Sequence, residues 1–484
     1  MPVNAQFLAE LERIVGPDGL VRDEGELSTY ESDGLVSHRS RPRAAVLPET
    51  AEQVQAVVRL CHRDRVPFVA RGQGTGLSAG ALPHPDGVLI VMTRMNRVLD
   101  VDIANRRITV EPGIMNLEVT RRVAPDGYYY APDPSSQVIC SIGGNVAENS
   151  GGAHCLKYGF TVHHVVGVEA VLPDGEMVHL GGPAPDGPGL DLLGVLVGSE
   201  GTLAVVTKVI LRLLRRPESV RTLLAAFDST DAAGNAVSDV IAAGIIPAAI
   251  EMMDRTTIRA AEAAVSPGFP DAEAVLIVEL DGPQPEVAAQ FEQIESICDR
   301  NRGWGVQVAR DEDQRARIWR GRKAAFAAMG RVAPSYYVQD GVIPRSTLPE
   351  VLRRIRDLEK RSGLTIGNVF HAGDGNLHPL VCYDDAVEGQ AELAEEVATE
   401  ILSYCLDAGG SLTGEHGIGA DKACHMPKMF DEADLATMRL LRRAFDPADI
   451  CNPDKLLPTP RLCGEVPGPY RAHPAEAAGL AQRL

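Results

Sequence analysis

The chain has 484 residues, 45% of them hydrophobic and 23% charged, with 47 basic against 66 acidic residues and a formal net charge of −19. That is length for two to four domains and composition for a large buried core. The acidic balance argues against nucleic acid or an anionic membrane as the main partner, since both need a basic footprint. It leaves room for a small anionic substrate held by a few local cations. No run approaches the ~18 apolar residues of a membrane helix. The opening MPVNAQFLAELERIVG lacks the apolar core of a signal peptide. Nine cysteines form no C-x-x-C pair. That excludes a zinc ribbon, a thioredoxin-like motif and a cluster-binding ferredoxin run, and predicts reduced cytosolic thiols.

In chain order, residues 41–92 read as strand, helix, strand, loop, strand. Thr50 with Gln53 makes a capping box before VQAVVRLCHR, whose apolar positions recur at helical spacing. VLDVDIANRRITV (98–110) predicts a hairpin, and 165–180 predicts another around Pro173-Asp174-Gly175. VGSEGTLAVVTKVILRLL (197–214) ends this half in a turn and a long strand. From about 218 the pattern becomes βαββαβ, the order of a ferredoxin-like unit. Helices are predicted near 311–330 and 347–362. Gly- and His-rich segments follow at 366–383 and 409–422, and a Pro-rich tail after 458.

Two loops are built for close backbone approach. Arg71-Gly72-Gln73-Gly74-Thr75-Gly76-Leu77-Ser78-Ala79-Gly80 lies between two predicted strands. It is neither the Rossmann fingerprint, which needs Gly at 77, nor a P-loop, which needs G-K-[ST]. Its glycines can still turn N–H groups inward as an anion nest suited to a pyrophosphate; a plain Gly-rich loop reads the same way. Pro134-Ser135-Ser136 leads into Gly143-Gly144-Asn145-Val146-Ala147-Glu148-Asn149-Ser150-Gly151-Gly152. Small residues cannot fill a core, but they can press flat backbone against a large ligand. Val138, Ile139, Ile142 and Val146 argue for burial rather than a disordered linker. Gly201-Thr202 precedes a strand in the same manner.

These segments, in this order, resemble the flavin domain of the vanillyl-alcohol oxidase and p-cresol methylhydroxylase (PCMH) superfamily. The resemblance continues through HAGDGNLHP (371–379), GEHGIG (414–419) and NPDK (452–455), which look like its 2-hydroxy-acid dehydrogenase branch, the FAD-linked catalytic subunits of bacterial glycolate oxidases among them. It spans about residues 20–460. It implies an α+β fold: a PCMH-type FAD-binding domain over 1–217, a ferredoxin-like cap over 218–415, a return to the FAD domain over 416–460, and a tail over 461–484. It implies FAD held by residues 71, 72, 74–76 and 80, 134–136, 143–145, 147, 149, 151 and 152, Gly201, Thr202 and Asn452. It also implies an iron–sulfur subunit and a second FAD-binding subunit as partners, and a cytoplasmic location at the inner face of the membrane through them.

The chemistry concentrates in the histidine motifs. Asp374-Gly375 is a favoured two-residue hairpin turn, which would set His371 opposite His378 with Cβ atoms ~4.5–5.5 Å apart. With Glu415 from a separate turn, two His and one carboxylate suit a divalent metal with open positions, whether zinc, manganese or iron. Two unrelated histidines beside a turn would give the same pattern; relatives use these positions for a metal. The resemblance makes His416 the base that takes the hydroxyl proton of a small 2-hydroxy acid, glycolate or D-lactate. It makes Arg322, with Lys323 in reserve, the cation for the substrate carboxylate. Asn376 reads as an amide that touches substrate or steadies the ligands. Where relatives carry a further lysine, this chain has Tyr336-Tyr337-Val338-Gln339-Asp340.

Overall fold

Short β-branched runs between polar turns build the first layer. In the computed structural model, which describes residues 3–182, 184 and 189–458, four strands share a sheet. They are Leu20–Val21 (β1), Ala44–Val46 (β2), Phe68–Arg71 (β3) and Val88–Val91 (β4), in the order β1-β2-β4-β3. β2, β3 and β4 run parallel, so crossovers must join them. The first is the helix Ala51–Asp64, where the Thr50 hydroxyl accepts from Gln53 N–H at 3.3 Å. Its apolar stripe of Val54, Val57, Val58 and Cys61 is buried against this sheet.

The next sheet holds both expected hairpins. Its strands are Val98–Asp102 (β5), Arg107–Val110 (β6), Val165–Val171 (β8), Met177–Gly181 (β9) and Val205–Arg212 (β10), in the antiparallel order β5-β6-β10-β8-β9. Tyr128–Tyr129 (β7) pairs separately with Leu214–Arg215 (β11). Ile142 and Val146 are buried as expected, but Val138 and Ile139 are 56% and 53% exposed. Those two sit in a turn ahead of the helix Ile142–Glu148, so only the helical pair reaches the core.

The second half opens with Ser219–Phe227 (β12), Ala249–Asp254 (β13), Ala274–Gly282 (β14) and Trp304–Val308 (β15). They lie antiparallel in the order β15-β12-β14-β13, the 4-1-3-2 arrangement of a ferredoxin-like unit. One helix escapes the sequence reading, Arg255–Val265 between β13 and β14. No Gly or Pro separates it from the strand: Asp254 ends β13 and caps the helix with its own carboxylate. Ser335–Val338 (β16), Gly341–Val342 (β17), Ile366–His371 (β18), Asn376–Leu377 (β19) and Pro379–Tyr383 (β20) extend this sheet. β18 pairs antiparallel with β13 and sets His371 opposite Glu251. The helices Glu312–Ala328 and Leu348–Ser362 stand where expected. Gln390–Asp407 and Glu432–Phe445 are further helices that the sequence reading passed over.

The chain then returns to its beginning. Phe68 N–H donates to Ile450 O and Asn452 N–H to Phe68 O, both at 2.8 Å, adding a parallel bridge to β3. Among the described residues seven cysteines are buried free thiols. Among the described residues no helix is long and apolar enough to cross a membrane. The expected tail over 461–484 lies outside the described residues.

Candidate active site

Two cavities meet at Glu148, Ser199 and Glu200. The smaller, about 80 Å³, is lined by Arg71, Gly72, Gly80, Gly143, Gly144, Ala147 and Gly201. The larger, about 430 Å³, takes in Asn149 and Thr202 and reaches Gly414, Glu415 and Gly417. Residues of the predicted cofactor loops thus line two cavities with a shared wall, and the larger of them reaches Glu415. Gly74, Thr75, Gly76, Pro134, Ser135, Ser136, Asn145, Gly151, Gly152 and Asn452 lie outside both linings.

Several of these outliers have another task. Asn452 donates from Nδ2 to Gly80 O at 3.0 Å and Glu200 O at 2.7 Å, tying the return segment to both loops. Asn145 accepts from Asn116 at 3.0 Å and donates to Ser150 at 3.2 Å, bracing its own loop. A Cβ at Gly151 would lie 2.7 Å from Glu415 Oε2, so the absence of a side chain lets this loop meet the histidine cluster. Burial, and then Glu200, hold the Glu148 carboxyl well above the usual range.

Three imidazoles converge on one carboxylate. Nε2 of His371 and of His378 each lie 3.3 Å from Glu415 Oε1, and Nε2 of His416 lies 3.5 Å from it. The hairpin that brings them together differs from the expected one. His371 faces Asn376 rather than His378, because four residues, 372–375, form the turn instead of two. A two-residue slip keeps every side chain on its face, whereas a slip of one would have reversed them. The rings therefore meet diagonally, with centroids 5.2 Å apart.

The charges follow from burial and pairing. Burial opposes protonation of His371, yet Glu251 and Glu415 prevail and hold it well above the usual imidazole value. Burial also opposes ionisation of Glu415, and the neighbouring histidines outweigh it. Burial dominates at His416 and lowers it, which favours the neutral ring. Its side chain is 23% exposed against 4% for His371 and 1% for His378, so His416 is the open member of the cluster. His378 has neither ring nitrogen hydrogen-bonded, and Glu415 Oε2 also lacks a partner. Buried polar atoms are rarely left so. Together with the donor atoms of His371, His378 and Glu415 lying within 4.8 Å of one another, this fits a divalent cation.

The sequence reading missed the groups that hold this cluster. Asp340 accepts from His416 N–H at 2.9 Å, from Glu415 N–H at 3.3 Å and from the Thr413 hydroxyl. Lys422, 1% exposed, sets its ammonium 3.6 Å from Asp340 and with His378 outweighs the burial that would raise the Asp340 carboxyl. Arg322 is 2% exposed and faces Glu251, to which Nε donates at 2.7 Å. Lys323, the predicted reserve, is exposed; about 100° further round the helix, it does not share Arg322's face. Asn376 is buried against Gly414 in the open cleft that also holds Asp374 and Arg345.

A second buried network joins the two halves. Glu279 on β14 accepts from Thr222, Arg315, Trp319 and His154, and His154 also pairs with Asp133 at 2.9 Å. Burial disfavours the imidazolium, but Asp133 and then Glu279 raise His154 to about 10.

Comparisons with known proteins agree with this architecture. Residues 42–181 match the family described as FAD binding domain, and 216–456 match FAD linked oxidases, C-terminal domain. The chain is 50% identical over 460 residues to the glycolate oxidase subunit GlcD of Escherichia coli K12, covering 95% of this chain and 92% of that one. It is 30% identical to a mitochondrial D-lactate dehydrogenase [cytochrome] of Arabidopsis thaliana, over 95% and 81%. In fold it superposes on p-cresol methylhydroxylase with substrate bound at a TM-score of 0.78 and 16% identity, covering 93% and 96%. The chain is therefore a member of the FAD-linked oxidoreductase family that includes the glycolate oxidase subunit GlcD.

Proposed function

We propose that this chain oxidises a small 2-hydroxy acid, glycolate to glyoxylate first and D-lactate as the alternative. The observation that carries the reading is the convergence of three imidazoles on Glu415, which lines the larger cavity. The likeness to GlcD supports glycolate, and the likeness to D-lactate dehydrogenase keeps the larger acid open. The loops at 71–80, 143–152 and 201–202 would hold FAD, which would supply a two-electron acceptor for the hydride of the substrate Cα. A divalent cation held by His371, His378 and Glu415 would polarise the substrate hydroxyl.

The chain's own residues do the rest. His416, neutral and the most open of the cluster, takes the hydroxyl proton on Nε2. Asp340 fixes the turn that carries both His416 and Glu415. Arg322, held by Glu251, offers its guanidinium to the substrate carboxylate. The likeness to a subunit supports partner chains; an iron–sulfur subunit and a second FAD-binding subunit would carry electrons onward. We assign residues 1–217 and 416–460 to the cofactor domain and 218–415 to the cap. The test is anaerobic addition of glycolate or D-lactate to the purified yellow protein. Bleaching of the flavin band by one acid within seconds is the expected result, and no bleaching by either overturns the reading.

A further inference from the structure

Glu251 lies at the centre of β13, is fully buried, and stands directly opposite His371 on β18. Its two oxygens have different partners. Oε1 lies 2.7 Å from His371 Nδ1. Oε2 accepts from Arg322 Nε at 2.7 Å and lies 2.6 Å from Arg322 Nη2. A carboxylate only accepts, so His371 Nδ1 carries the proton and Nε2 is turned toward Glu415 and His378. With a cation on Nε2, this arrangement would fix tautomer and ring orientation together.

The same carboxylate holds one edge of the guanidinium, whose planar fork permits few orientations. Arg322 comes from the helix Glu312–Ala328, and Phe326, one turn further along it, packs edge-on to His378 with centroids 5.6 Å apart. We infer that Glu251 is a positioning residue shared by two functions: it aims His371 at the metal and Arg322 at the substrate carboxylate, and so fixes the spacing between them. Because substrate hydroxyl and carboxylate sit on adjacent carbons of a 2-hydroxy acid, that spacing selects for 2-hydroxy over 3-hydroxy acids. This rests on the assignment of Arg322 to the carboxylate.

The experiment compares Glu251→Gln, which keeps shape and one acceptor oxygen, and Arg322→Lys with the parent. All are prepared as FAD-loaded full-length protein, and zinc affinity is measured by chelator competition alongside KM and kcat for glycolate. Glu251→Gln should load FAD normally, lose about 10–100-fold in zinc affinity and raise KM for glycolate at saturating zinc. It should also narrow the preference for glycolate over 3-hydroxypropionate. Arg322→Lys should raise KM while zinc affinity stays within about threefold. If Glu251→Gln changes only thermal stability, with zinc affinity and KM at parental values, the shared role is overturned even when Arg322→Lys behaves as expected. If zinc affinity falls but Arg322→Lys leaves KM unchanged, the Arg322 assignment is what fails, and the shared role with it. Glu251→Asp, a carboxylate one methylene shorter, guards against poor folding of the amide variant: it should recover zinc affinity better than KM, and equal recovery of neither overturns the proposal.

Discussion

Replacing Asp340 by Asn removes one charge and almost no volume. The carboxylate accepts from two backbone N–H groups and one hydroxyl of the turn 413–416, and sits 3.6 Å from the Lys422 ammonium. Lys422 has no hydrogen-bond partner and is 1% exposed; Asp340 is its ion-pair partner at 3.6 Å, and Glu148 and Glu200 also act on it through space. Asp340→Asn breaks the buried ion pair by removing one partner, which costs about 3–5 kcal/mol. The three donors to Asp340 also lose a charged acceptor, at about 1 kcal/mol each, but those losses overlap with the first because the same charge is removed. The expected loss of unfolding free energy is therefore about 3–5 kcal/mol, read from urea titrations of the FAD-loaded protein by fluorescence and flavin release. The informative comparison adds Lys422→Met and the double variant, because a cycle isolates the coupling between neighbours. Asp340→Asn/Lys422→Met should be more stable than Asp340→Asn alone by at least half of the loss. A double variant no better than the single one would falsify the view that charge pairing holds the turn 413–416.

Other outcomes follow from the same geometry. His154, raised to about 10 between Asp133 and Glu279, should contribute stability that is full below its unfolded value near 6.5 and is lost as pH rises through 10. The urea midpoint of the parent should exceed that of His154→Gln most at pH 6, and the two should coincide near pH 10.5; a gap independent of pH refutes the bridging imidazolium. Gly74 has φ +69°, and a side chain there would collide with the Arg71 guanidinium, so Gly74→Val should abolish flavin absorbance in the purified protein. His378→Ala should lose metal and activity together. His416→Ala should keep metal and flavin yet fall about 10²–10⁴-fold in kcat; loss of bound metal in that variant would make His416 a ligand, as its position beside Asp340 and His378 permits.

The order of elements could be read from the chain because each carries its own period or punctuation. The Thr50 cap, the Asp174-Gly175 turn and the β12–β15 alternation all have local causes. The helix Arg255–Val265 stayed hidden because its cap is also the last residue of a strand. The histidine motifs marked the site, but the register of their hairpin depends on β13 beside β18, which a two-residue turn preference cannot supply. Glu251 and Asp340 were illegible for the same reason. Each is a single acid in an apolar or mixed run, and its meaning comes from a partner between 71 and 120 residues away.

The bridge between Phe68 and Cys451 has a consequence for synthesis. Roughly 380 residues separate the two strands it joins, and a ribosome adding ~5–20 residues per second takes roughly 20–80 s to cover them. Throughout that interval β3 offers a free edge, and the loop at 80 lacks the Asn452 amide that ties it to Glu200. The cofactor pocket is thus finished among the last events of translation, after the cap has had time to fold. A chain released early would carry a complete cap beside an open strand edge and an untied flavin loop, and such edges invite pairing with other chains.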